Sequence, residues 1–125
     1  MNVTNAVAEF GARVGRPGLH LPADGAVAVE VDGLGLTLAS HSEELLIVAL
    51  IAAPFLETAR LIEILCSLDI RRRRPEEPPI QIARHGQADG LHLIASVRWP
   101  AESVSAQNLG QSVDALLRFR REWFS

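Results

Sequence analysis

The residues of this 125-residue chain whose types could support chemistry are four histidines, one cysteine, a run of arginines and a short glycine pair. His20, His41, His85 and His92 could ligate a divalent metal, but a zinc site needs three or four donors brought together. None of the four stands at ligand spacing from another ligand, so no metal is expected. Cys66 is the only cysteine, which excludes an intramolecular disulfide. It has no base near it in sequence to make it a nucleophile, and it reads as a small apolar residue on a helix. Arg71 to Arg74 could pair with phosphate. No aromatic residue interleaves them for base stacking, and Glu76 and Glu77 follow at once, which favours a solvated loop or a contact for an acidic protein surface. Gly33-Leu34-Gly35 precedes a strand, whereas a nucleotide loop opens a helix, so it reads as a hairpin turn. Aspartates and glutamates fall mostly in turns or on exposed helix faces. No catalytic residue, cofactor or metal is expected, and the chain is not read as an enzyme.

With chemistry absent, the elements themselves become the object. Val3, Val7, Phe10 and Val14 recur at helical spacing, with Asn2 or Thr4 available as N-cap, until Gly15-Arg16-Pro17-Gly18 breaks the pattern. Ala26 to Val31 alternates, Asp32-Gly33 is the strongest short hairpin signal, and Leu34, Leu36 and Leu38 resume the period of two. After the polar turn His41-Ser42-Glu43-Glu44, the run Leu45 to Ala52 offers apolar side chains to both faces. Such a strand suits a sheet covered by helices on one side and by something else on the other. Pro54 fits the first turn of a helix from Phe55 to Leu68. That helix carries two apolar stripes, one of Phe55, Ala59, Ile62 and Cys66, the other of Leu61, Ile64, Leu65 and Leu68. The stretch from Arg71 to Pro79 is a charged, proline-stiffened connector. Ile80 to Arg84 and Leu91 to Trp99 form a second hairpin around Gly86 to Gly90. A last amphipathic helix, with Ser103 or Ser105 as N-cap, carries Leu109, Val113, Leu116, Leu117, Trp123 and Phe124.

The order is α-β-β-β-α-β-β-α, an α+β fold with a twisted antiparallel sheet flanked by helices, in a single domain over residues 1–125. Hydrophobic residues make up 48% and charged residues 22%, a globular balance with enough apolar surface to exceed what one such domain hides. The net charge is -3 and the basic residues are all arginine, which argues against non-specific nucleic-acid binding. Leu45 to Leu56, the longest apolar run, is short of the ~20 residues a spanning helix needs, so no stable membrane insertion is expected. Met1 to Phe10 lacks a secretory signal, which points to the cytoplasm.

The order, length and acidity, together with two local patterns, resemble the class I type III secretion chaperones, the CesT/SycE superfamily. Ala8-Glu9-Phe10-Gly11-Ala12-Arg13-Val14-Gly15-Arg16-Pro17 is similar to that family's first helix and the turn that ends it. Leu116-Leu117-Arg118-Phe119-Arg120-Arg121-Glu122 is similar to its last helix. Within the family the chain looks closest to the SycN branch, from which only the basic run Arg71 to Arg74 departs. The resemblance implies a cytoplasmic, dimer-forming, non-enzymatic bacterial protein, with a place at the periphery of the secretion apparatus as a further expectation. It would bind the N-terminal region of a secreted effector or gatekeeper protein in extended form and keep it soluble for secretion in virulence. The dimer would be with itself or with a second small chaperone.

On that reading the second helix is the dimer surface, through Phe55, Leu61, Ile64, Leu65 and Leu68. The secreted partner would meet Phe10 and Val14 on the first helix and Leu36, Leu46, Val48 and Leu50 on the sheet, by strand addition with side-chain pockets. Two other classes compete: an adaptor that binds a folded protein, and a ligand-binding domain with a closed polar pocket.

Overall fold

The computed structural model describes residues 3–22, 25–53, 56–68, 78–87 and 90–124. The order is α1 (Val3–Arg13), β1 (Ala26–Val31), β2 (Leu34–His41), β3 (Glu44–Ala52), α2 (Thr58–Ser67), β4 (Gln81–Gln87), β5 (Gly90–Pro100) and α3 (Ala106–Phe124), with one 3-10 turn at Ala101–Ser103. The α+β order expected from the sequence is the order found.

The amphipathic stripe of α1 turns Val7 and Phe10 inward, with Ala6 and Gly11 beside them. Its C-terminus closes as a Schellman motif, in which Arg16 N donates to Gly11 O (2.7 Å) and Gly15 N to Ala12 O (3.4 Å). Gly15 supplies the left-handed φ of 82° that this closure requires. At α3, Ser105 is the N-cap, its Oγ accepting from Asn108 N at 3.0 Å. The start of α2 is three residues later than the sequence pattern suggests, because Leu56 N first bonds back to Ala53 O at 3.2 Å and closes a separate turn.

All five strands pair antiparallel in the order β1-β2-β3-β5-β4. The connection through α2 lets β5 pair with β3 and leaves β4 at the edge. The register puts Val29, Leu36, Ala49 and Ala95 in one row and Val27, Leu38, Ile47 and Val97 in the next, all on one face. That face carries the core. Leu38, Leu45, Ile47, Ala49, Leu93 and Ala95 are 0% exposed there. Helix α3 lies on β3 and β5 and packs against α1, burying Leu109, Val113, Leu116 and Phe119. A polar pin joins helix to sheet: Trp99 Nε1 donates to Ser112 Oγ (2.7 Å), which donates to Asn108 O (2.8 Å). Since Ser112 is itself 0% exposed, this chain satisfies hydroxyl and indole together. Helix α2 joins the same side. Ile64 is enclosed in the core, and the Arg60 guanidinium sits 4.6 Å from the Trp123 ring centroid.

Two hairpins close through two-residue turns with positive φ at both central residues, Asp32-Gly33 (50° and 79°) and Ser42-Glu43 (49° and 63°). Asp32-Gly33 has suitable residues for that geometry, and Arg120 Nη2 donates to the Asp32 carbonyl at 3.1 Å. Ser42-Glu43 does not, since each side chain strains a left-handed backbone. Replacing this pair by Asn-Gly is expected to stabilise the protein by about 1 kcal/mol, a melting-temperature rise of roughly 3–6 °C by calorimetry. An unchanged or lower value would mean the turn is not of this type.

Candidate functional site

The residues that alternate with the core set point to the opposite face of the sheet. Leu46, Val48 and Leu50 of β3 sit there, with Ala28, Thr37, Ser96 and Ile94 as cross-strand neighbours. No described helix covers them. Leu50 is 45% exposed, and Leu46, Val48 and Ile94 are half-buried. Small residues at Ala28 and Gly35 keep the β1–β2 side of this face low. The result is a groove of about 600 Å³ floored by Ala28, Gly35, Thr37, Val48 and Leu50, with Arg16, Leu19 and Glu30 along its rim. At the other end the face turns polar, where Arg98 Nε pairs with Glu44 Oε2 at 3.1 Å, both side chains about half exposed.

A second cleft, of about 400 Å³, runs between α1, α3 and the outer edge of β1. Phe10, Val14, Val113 and Leu117 line it, with Arg13, Glu30, Asp32 and Asp114 at its mouth. Strand β1 ends the sheet on this side, so its outer backbone groups face the cleft rather than another strand.

Helix α2 divides its two stripes. Leu61 and Leu68 are half-buried against the core and Ile64 is 0% exposed, whereas Ile62 (54%) and Leu65 (50%) project away from the protomer, next to exposed Cys66. Ile62, Leu65 and Leu50 are the large hydrophobic side chains left exposed among the described residues.

Three of the expected contact residues are buried in the protomer. Phe10 (1% exposed), Leu36 (2%) and Ile64 are enclosed by their own chain, because the helical face of the sheet, and not the open one, takes their side chains. Phe10 lines the second cleft and Leu36 the groove, each with little side-chain surface, while Ile64 is sealed in the core. Leu46, Val48 and Leu50 lie together on the open face, while Val14 stands apart at the second cleft. Ile62, Ile94, Leu19 and Thr37 were missed. The signal for Ile94 lies in the alternation of Leu91 to Trp99, and that for Ile62 in the stripe it shares with Phe55, Ala59 and Cys66. Phe55 and Arg71 to Arg74 lie outside the described residues.

Among the described residues no three His, Cys, Asp or Glu side chains converge on a point that could hold a metal, and no helix is long and apolar enough to cross a membrane. The clefts carry apolar floors and scattered rim charges, an arrangement that can hold an extended chain by its side chains.

No protein-family model and no curated protein matches the chain. Solved structures do. A chain of the ExsC–ExsE complex superposes with a TM-score of 0.69 at 20% identity, covering 98% of this chain and 94% of that one. A chain of the HopA1–SchA chaperone–effector complex gives 0.67 at 21% identity, covering 95% and 90%. One from the heterodimeric ExoU–SpcU complex of the Pseudomonas aeruginosa type III secretion system gives 0.64 at 16% identity, covering 94% and 93%. At such identities the likeness is one of fold, and the fold is the one that the resemblance to class I type III secretion chaperones implied.

The two faces of β3 make a direct contrast. Leu50→Ser on the open face should cost under about 1 kcal/mol in a urea titration, whereas Ile47→Ala on the core face should cost about 2–5 kcal/mol. A large loss at Leu50 would mean that something in the protomer already covers it.

Proposed function

We propose that the protein is a cytoplasmic chaperone that works as a dimer, binding the N-terminal region of a type III secreted effector or gatekeeper protein in extended form and keeping it soluble and secretion-competent. The observation that carries this reading is the open sheet face, where Leu46, Val48, Leu50 and Ile94 form an apolar strip uncovered by any described helix. Burying a side chain of this kind contributes roughly 1.5–3 kcal/mol. A ligand that covers the strip is therefore favoured, and an extended segment suits it because Leu46, Val48 and Leu50 alternate along a single strand. The free outer edge of β1 offers backbone pairing to the same segment as it leaves the groove. Neighbours of the same fold whose structures are chaperone–effector and type III secretion complexes add support. On this reading the protein performs no catalysis.

The dimer surface we assign to the outward stripe of α2, centred on Ile62 and Leu65, with Leu61 and Leu68 at its margin. Two leucine-sized side chains about half exposed on one helix are the pattern of a contact awaiting a second copy or a related small chaperone. The partner groove and this surface belong to different parts of the protomer, so both can be occupied at once. The adaptor reading, in which a folded partner docks, has no flat apolar patch beyond these two to favour it.

Co-expression with a cognate secreted protein should give a co-purifying complex, and Val48→Asp or Leu50→Asp should abolish that capture while leaving the chaperone folded. Capture that survives both substitutions would remove the groove from the account. In the chaperone alone, Leu65→Asp should halve the native mass with helical circular dichroism retained; an unchanged mass would place the interface elsewhere.

A further inference from the structure

One polar atom of the described residues is buried without a hydrogen-bond partner: Nδ1 of His92. Buried polar atoms are nearly always satisfied, so an orphan imidazole nitrogen asks for a ligand. The hairpin of β4 and β5 supplies a neighbour. His85 stands directly opposite His92 in the antiparallel register, on the same face of the sheet, with Ala52 of β3 on the other side of His92. His85 is exposed. Directly opposed residues hold their Cβ atoms about 4.5–5.5 Å apart. Two nitrogens bound tetrahedrally to one zinc ion, each at about 2.0–2.1 Å, are roughly 3.3 Å apart. Imidazoles leaning toward one another from opposed strand positions span that gap in ordinary rotamers. Ala52, the neighbour of His92 on β3, adds only a methyl group to that face.

We propose that His85 and His92 form a two-imidazole site for a divalent transition-metal cation, at the end of the open sheet face next to Leu50 and Ile94. Imidazole suits zinc, nickel and copper ions, and with no geometry imposed by further protein donors the affinity order should follow the general one, copper above nickel. Two ligands from the protein leave further positions to water, so binding is weaker than at a four-ligand structural zinc site. The site needs no secreted partner to form.

The test is isothermal titration of the intact, untagged protein with zinc chloride. One zinc per chain should bind, and His85→Ala, at an exposed position, should weaken binding at least about tenfold. His85→Gln, which keeps the side-chain bulk, should behave like His85→Ala. His20→Ala and His41→Ala should leave the affinity unchanged, and the ring nitrogens of both His85 and His92 should shift in nuclear magnetic resonance on zinc addition. No saturable binding, binding undiminished in both His85 variants, or equal loss in the His20 or His41 variant would each overturn the proposal.

Discussion

Strand β3 imposes the constraint on which the rest depends: it is apolar on both faces, and the described helices lie on only one. Leu45, Ile47, Ala49 and Ile51 are enclosed by α1, α3 and α2, and the residues between them are not. A central strand alternating in and out normally alternates apolar with polar when one side meets water. Here the period of two separates a finished core from an unfinished one. The groove, its low floor and its rim follow from that mismatch.

The enclosed side explains why the open side can stay in order without cover. Helix α3 is fixed to β5 through the Trp99–Ser112–Asn108 chain and to the β1–β2 turn through Arg120. The Schellman closure of α1 turns the chain so that Arg16 and Leu19 reach the groove rim. Gly11 permits this return, since a Cβ there would lie 2.5 Å from the Cβ of Leu19. Rigid backing lets the strip of Leu46, Val48, Leu50 and Ile94 be held in position before any partner arrives. That lowers the entropy cost of binding.

Much of this was legible in the residue pattern. The element order, the Asp32-Gly33 turn, a serine cap at Ser103 or Ser105 and the two-faced character of Leu45 to Ala52 all follow from local periodicity and turn chemistry. What local pattern could not supply was the side from which each element is covered. Phe10 and Leu36 look as available as Leu50 until the sheet order shows α1 and α3 sharing one face. For the same reason the two stripes of α2 could not be told apart: Ile64 and Leu65 are adjacent in sequence, yet one is sealed in the core and the other is half exposed. The apolar excess proved smaller than composition suggests, because a large core absorbs most of it, and it is concentrated in two places. Nor did spacing pair His85 with His92. Their juxtaposition depends on the hairpin running to Gln87 and Gly90, three residues beyond the expected strand end on the β4 side.

Whether the open face of β3 receives an extended chain is the central question, and methyl nuclear magnetic resonance answers it directly. The protein is labelled at its Ile, Leu and Val methyl groups and titrated with the N-terminal segment of the secreted protein it is proposed to bind. The account requires that Leu46, Val48, Leu50 and Ile94 shift together while Ile47, Leu93 and Val97, on the reverse of the same strands, stay in place. Shifts confined to the helical side, or none along β3, would contradict it.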